Sequence, residues 1–533
     1  MNCLNIQYNF IVKSVIRKLK KAPFVFIVSL VLLSACNSEK KKNSSEFINT
    51  AAKKVYENNW ESLKTHKTPS WFTNGKFGIY FHWGVYSVPA YKTEWYPRLM
   101  YLDNFEGWGD DVRPYHIAKY GEDFQYHEFI PDFTAEHFNA EEWALLFKKS
   151  GAQYAGPVAE HSDGFSMWNS KVNKWNAFNM GPKRDIVGEL EKAIKAEGMK
   201  FVTTFHHQFH WGWYPSWNGL VDVSSKDLLD FYGEVVPEET FKQATKNLEK
   251  YGPSEAFTHK WKAKVLEVIN NYNPDFVWFD SKLDIIPEKD RIELVEYFYN
   301  TSAKNNKEVV LSYKGDDLPK DVGVLDIEAG RLNELVNYHW LTDTPFCHGN
   351  SAWSYVEGKE SKGGNMNIDA LIDIVSKNGC LLLNIGPKAD GTIPEEIKTG
   401  LLEMGKWLEE YGEVVYGSKP FITYGEGPTK LKKNRFGGFN DLKEGYCDED
   451  FRFTTKDDNL YLIQLDVPKY EKKYVLRSFG SNEIAGDKKI ESIQLMGSNQ
   501  EVSWYQNEKG LYIVGVKEVP NKIAIVYKIK LAK

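Results

Sequence analysis

Strand-like and helix-like runs alternate for about 350 residues, and that alternation leaves few architectures open. "KFGIYFHWG" reads as a strand, and "NAEEWALLFKKSG" as an amphipathic helix with Asn139 as cap and Gly151 as stop. "AQYAGPVAEHSDGF" follows as strand and loop, "KRDIVGELEKAIKAEG" as a second helix closed by Gly198, and "MKFVTTFHHQ" as the next strand. A helix around Trp261 to Asn271 leads into "DFVWFDS", and another from Glu288 to Lys304 leads into "EVVLSYKGDD". "VGVLDIEAG" and "NYHWLTDT" read as strands with little between them; "IDALIDIVSKNG" is a helix and "CLLLNIGP" the last strand. The pattern predicts parallel strands in a (β/α)₈-type barrel over residues 55–415, irregular where a helix is missing around residues 320–340. A doubly wound open sheet is the rival, disfavoured because no Gly-rich phosphate loop follows the first strand.

The 533 residues are comfortable for two domains. Near Gly417 the texture changes to short alternating strands such as "NLYLIQLDV" and "GLYIVGVK", with turn residues between them. Residues 416–533 therefore read as an all-β sandwich, with a packing role first and a sugar-binding role second. At the other end, basic residues crowd Lys13 to Lys21 before the apolar "FVFIVSLVLLSAC". That run is short for a membrane span and fits a signal peptide over residues 1–36. Its "LSAC" ending resembles a bacterial lipobox, with Cys36 as the lipidated residue and residues 37–54 as a polar tether. The expectation is an exported chain, lipid-anchored to a bacterial membrane, in the periplasm or at the cell surface. Of five cysteines, Cys3 and Cys36 fall in the leader; Cys347, Cys380 and Cys447 show no CxxC spacing, so neither a disulfide framework nor a zinc ribbon is indicated.

In a barrel, catalytic groups sit at the C-terminal ends of the strands. The strand readings place His82 and Trp83, His161, His206 and His207, Asp280, Lys314, Glu328 and Asp343 there. The aromatic strand Phe276–Phe279 ends on a bare acid, Asp280, which needs either a partner or a chemical use. "HHQFH" sets His206 and His210 four apart, a zinc spacing only on a helix, and no HExxH occurs. A P-loop and a G-x-S-x-G elbow are also missing. The net charge of −6 makes no case for nucleic acid. Aromatics at 15% suit a carbohydrate site as well as a large core. Two carboxylates in a mouth lined by histidine and tryptophan fit glycoside hydrolysis best.

"FGIYFHWGVYSVPAYKTEWY", "EHSDGFSMWNS", "GPKRDIVGEL", "PDFVWFDS" and "LLLNIGPKADGTIPE" together resemble glycoside hydrolase family 29, the α-L-fucosidases. The resemblance covers residues 55 to 415. It implies a retaining exo-hydrolase on an irregular barrel, with no cofactor, no metal and a fucosylated glycan as substrate. Asp280 matches the family nucleophile and Trp278 the tryptophan beside it. His82 and Glu94 match groups that hold fucose hydroxyls, with Trp83 beside His82; His161 matches the first histidine of "HHDGF", and His206 a sugar-contacting tyrosine. Lys314 falls near a family arginine. The chain departs from the pattern twice. Ser162 stands where the second histidine belongs, and Leu341 in "HWLTDT" where many members carry the acid/base glutamate. Glu328 is then the first candidate for the acid, Asp343 the second and Glu94 a distant third. Two alternatives stay open: a related exo-glycosidase of the α-L-galactosidase kind, and a glycan-binding lipoprotein with impaired catalysis. Trp278, Phe279 or Trp353 could line a pocket for the fucose methyl group.

Overall fold

The computed structural model describes residues 56–103, 109–244, 247–349, 353–432 and 439–532. The leader with Cys36 and all of the tether lie outside the described residues.

Eight parallel strands close a barrel in chain order: β1 (Phe77–Phe81), β2 (Tyr154–Glu160), β3 (Lys200–Phe205), β4 (Phe276–Phe279), β5 (Val310–Lys314), β6 (Val324–Asp326), β7 (Trp340–Pro345) and β8 (Gly379–Ile385). The ring is completed by β1 pairing with β8, Phe77 opposite Leu381 and Phe81 opposite Ile385. Such strands are covered on both faces, which is why they read as unbroken apolar runs. The two faces belong to two cores. Tyr80, Tyr154, Val202, Phe276, Trp278, Leu341 and Leu382 fill the lumen. Their neighbours Ile79, Phe81, Phe201, Val277, Phe279 and Leu383 pack outward against the helices, for example against Trp143, Phe147, Leu190 and Trp261. Phe72, on a short helix before β1, plugs the barrel floor, its ring 5.5 Å from those of Tyr154 and Phe276. Gly156 on β2 is required by a close approach: a Cβ there would lie 1.8 Å from the Val202 carbonyl oxygen.

The helices begin where their caps dictate. The Asn139 side chain accepts from the backbone N–H of Glu141 and Glu142 and opens the helix Ala140–Lys149. Ser254 caps Glu255–Tyr272, which starts a turn and a half earlier than the hydrophobic periodicity suggests. No helix occurs among the described residues between β5 and β6 or between β6 and β7, so the barrel is irregular where expected.

From Lys419 onward the chain forms antiparallel sheets. A five-stranded sheet runs Ile490–Leu495, Ile525–Leu531, Asn459–Gln464, Phe451–Lys456, Lys419–Glu426; a three-stranded one runs Lys473–Leu476, Gly510–Val514, Trp504–Asn507. Phe453, Leu462 and Tyr527 of the first meet Leu476, Leu511 and Ile513 of the second in one core, which makes the pair a sandwich. The sandwich joins the barrel in one compact unit. Trp407 Nε1 donates across the joint to the Ala524 carbonyl at 3.1 Å, and the Arg452 guanidinium reaches Asp373 on the helix Gly363–Ser376.

Candidate active site

Three histidines meet at the C-terminal mouth because each follows a strand and turns inward. His82 follows β1, His161 follows β2 and His206 follows β3. Their nitrogens lie within 4.8 Å of one another. The His82 Nδ1–H donates to Asn384 Oδ1 at 2.8 Å, which leaves Nε2 as an acceptor facing away from Asn384. Burial pushes His82 down to about 4, and pushes His161 and His206 well below the ordinary imidazole value. All three are neutral at pH 7. Nδ1 of His161 and Nδ1 of His206 have no hydrogen-bond partner among the described residues, so the mouth offers unspent polar atoms to a ligand. Three neutral imidazoles at this spacing could also hold a metal ion. His206 and His210 do not pair as ligands: His210 turns away and its Nδ1 bonds the Ser162 carbonyl at 2.9 Å.

Opposite the histidines sits one ammonium among four carboxyls. Lys314, the last residue of β5, is buried, and its Nζ lies 3.0 Å from Asp280, 2.9 Å from Glu328 and 3.3 Å from Asp343. Three N–H groups thus meet three carboxyls. Asp280 follows β4 directly; its N–H bonds the Phe205 carbonyl at 3.0 Å and its carbonyl accepts from Gln208 at 2.7 Å, which fixes the backbone. The side chains of Asp280 and Glu328 remain 23% and 27% exposed, whereas that of Asp343 is 1% exposed. Asp280 and Glu328 therefore face the opening, and Asp343 lies beneath them.

Asp343 and Asp326 form a second layer. Asp326 Oδ2 accepts from Trp278 Nε1 at 2.8 Å and Oδ1 from the Asp343 N–H at 3.0 Å. Asp343 Oδ2 accepts from the Tyr80 hydroxyl at 2.8 Å, while Oδ1 meets no donor. A fully buried carboxylate oxygen without a donor is costly, which favours the protonated form of Asp343. Burial, with Asp326 beside it, raises Asp343 well above the usual carboxylate range. Glu328 is raised to about 7 by burial, against the pull of Lys314. Glu94 is fully buried, has an unpartnered Oε2, and is also raised to about 7 by burial, with smaller contributions from Glu328 and Asp280.

A profile of the alpha-L-fucosidase family matches residues 44–413. The chain is 31% identical to the tissue alpha-L-fucosidase of Rattus norvegicus over 391 residues, 70% of this chain and 74% of that protein. It is 30% identical to the Homo sapiens tissue alpha-L-fucosidase over 378 residues, 69% and 73% of the two chains. The crystal structure of Thermotoga maritima alpha-fucosidase superposes with a TM-score of 0.69 at 27% identity, covering 89% of this chain and all of that one.

The chain belongs to the α-L-fucosidase family.

His82, His161, His206, Glu94, Asp280, Glu328 and Lys314 converge on one mouth. Trp278 lines the lumen below it, its ring centroid 4.9 Å from Lys314 Nζ. Trp83 does not converge. One residue beyond His82, it faces the other way, its ring 4.9–5.1 Å from those of Phe133, Phe138 and Trp143 and its Nε1 bonded to the Lys388 carbonyl. Trp83 is a core residue by the alternation of β1. Phe279 likewise points outward, 6.1 Å from the Trp261 ring, so it lines no sugar pocket. Trp353 is inside, 5.6 Å from the His82 ring and 5.9 Å from Lys314 Nζ. Asp343 does not end its strand but lies within β7, and Glu328 stands two residues past β6. Leu341 is fully buried in the lumen, so an acid at that place would not face the mouth. Ser162 Oγ bonds the His206 carbonyl at 3.0 Å and serves the backbone.

Asp326, Tyr80 and Asn384 were missed. Each lies on a strand whose sequence names an inward face only once its register is known. A cavity of 290 Å³ opens elsewhere, between the helices Lys226–Tyr232 and Glu255–Tyr272; none of the acids around Lys314 and none of the three mouth imidazoles lines it.

Proposed function

We propose that this chain hydrolyses terminal α-L-fucosyl residues of oligo- or polysaccharides with retention of configuration, Asp280 acting as nucleophile and Glu328 as acid/base. The observation that carries the roles is Lys314 spanning two partly exposed carboxylates. Two contacts of 3.0 and 2.9 Å to one nitrogen keep those two oxygens within about 6 Å of each other, which is compatible with the roughly 5–5.5 Å carboxyl separation of retaining enzymes. Asp280 attacks the anomeric carbon while Glu328, which holds its proton near neutrality, gives it to the departing oxygen. Water then cleaves the fucosyl ester, Glu328 takes the water's proton, and Asp280 is released as carboxylate. The neutral histidines and Glu94 accept or donate to sugar hydroxyls, and Trp278 and Trp353 offer apolar faces to the C5 methyl group.

Hydrolysis of nitrophenyl α-L-fucoside followed by proton NMR tests the reading. The expected result is α-fucose as the first product, with a higher kcat/KM than on the α-L-galactoside. First release of the β-anomer, or preference for the galactoside, would overturn it; tight fucoside binding without release would favour the catalytically impaired alternative.

We also propose export and lipid anchoring through Cys36. The basic Lys13–Lys21 stretch, the apolar run and "LSAC" support it. Cys36→Ser should move the protein from the membrane fraction to the soluble one; an unchanged distribution would contradict the anchor.

A further inference from the structure

Glu328 stands on a loop that the barrel alone braces on one side. β6 has three residues, and no helix follows it among the described residues to hold the chain after it. From the barrel, β7 pins the loop: the Ile327 N–H bonds the Leu341 carbonyl at 2.9 Å, and the Ala329 N–H the Asp343 carbonyl at 2.8 Å. Ala329 sits at φ +44°, a left-handed conformation that a residue with a Cβ keeps only when its surroundings impose it.

The other brace comes from the C-terminal region, about a hundred residues later in the chain. The Phe439 N–H donates to the Glu328 carbonyl at 2.9 Å, and those of Asn440 and Asp441 both donate to the Ala329 carbonyl, at 3.2 and 3.3 Å. The Asn440 side chain then copies a strand pairing: Oδ1 accepts from the Arg331 N–H at 2.8 Å, and Nδ2 donates to the Arg331 carbonyl at 3.0 Å. Asp441 clamps the Arg331 guanidinium at 2.9 Å and Lys362 at 2.9 Å. Asn440 is 7% exposed, so these bonds face little competition from water.

We propose that Phe439–Asp441 is a positioning element of the active site, with Asn440 as the residue that holds the acid/base loop in the place a barrel helix leaves empty. The sandwich region is then part of the catalytic apparatus and not only a packing module. This rests on Glu328 being the acid/base, and it makes a demand that a purely structural role does not. A displaced general acid slows formation of the fucosyl-enzyme, the step that kcat/KM reports, only where the leaving group needs a proton; the water step, in which Glu328 acts as base, is common to all substrates. Fucosyl fluoride departs as fluoride with little help; a fucosylated sugar alcohol does not.

The test compares Asn440→Ala with the unmodified protein on α-L-fucosyl fluoride and on a fucosyl disaccharide, with thermal unfolding monitored. The expected result is a loss of about 10-fold or more in kcat/KM on the disaccharide, with kcat/KM on the fluoride changed by less than about threefold. Equal losses on both substrates, or no loss on either, would overturn the proposal. If Asn440→Ala does not fold, Asn440→Ser, which keeps a polar side chain there, should give the same asymmetry at smaller size; a symmetric effect there overturns it equally. No hydrolysis of either substrate by the unmodified protein would instead fail the fucosidase reading itself.

Discussion

Two buried charge clusters in this protein use the same residue types in opposite proportion. At the mouth, Lys314 alone faces Asp280, Glu328 and Asp343, with Asp326 behind them. At the joint between barrel and sandwich, Asp373 and Asp441 are surrounded by Lys377, Arg452, Arg331 and Lys362. The consequence is opposite too. Excess acid leaves carboxyls short of positive charge, and burial lifts Glu328 and Asp343 above their ordinary range. Excess base holds Asp373 and Asp441 well below it, the neighbouring lysine and arginine charges outweighing burial. Asp369 at the same joint has no ion-pair contact among the described residues, and burial raises it. Around Asp373 the joint is spent on holding two regions together; the mouth keeps protons that chemistry can use.

The largest effect should come from Asp280→Asn, which removes the proposed nucleophile: kcat on an aryl fucoside falls by about 10³-fold or more with thermal stability nearly unchanged. Near-normal turnover would place the nucleophile elsewhere. Next is Glu328→Gln, with a loss of about 10²–10⁴-fold on poor leaving groups. In the unmodified protein, activity on such substrates should fall above about pH 7 as Glu328 loses its proton. Glu94→Gln should leave that limb in place, and its disappearance would make Glu94 the acid.

The joint should fail differently. Asp373→Asn strands Lys377 and Arg452 in a buried site and should cost about 3–5 kcal/mol in denaturant unfolding, with kcat/KM per folded molecule unchanged. The smallest effect is expected from Asp343→Asn, whose amide reproduces the protonated acid: kcat within about threefold, measured on an aryl fucoside. Its signature is in stability against pH. A carboxyl whose folded value is raised makes the folded state bind more protons, so stability falls as pH rises from about 4 to the folded value. Asp343→Asn should lose that fall. Asp373 has the opposite sign: its depressed value supports the fold above about pH 4 and the support fades in acid. If both variants flattened the same side of the curve, the contrast between the clusters would be wrong.

Much of this could be read from the chain. Alternating runs announced the barrel, and an aromatic strand stopping at Asp280 marked an acid at the barrel mouth. What could not be read was which way a side chain turns at a strand end. Trp83 and His82 are adjacent and face opposite sides, and the two acids of "VLDIE" divide between layers, Asp326 below and Glu328 at the mouth. Asp343 looked terminal because polar residues surround it, yet β7 continues to Pro345. The hold of Asn440 on the loop that carries Glu328 joins segments with no shared local pattern, so only the fold reveals it.

The most direct measurement is peptide mass spectrometry after exposure to 2-deoxy-2-fluoro-α-L-fucosyl fluoride, whose fluorine slows release of the covalent sugar. The arrangement around Lys314 predicts one adduct, on the peptide carrying Asp280. An adduct on Glu328, Asp343 or Glu94, or turnover without any adduct, would contradict it.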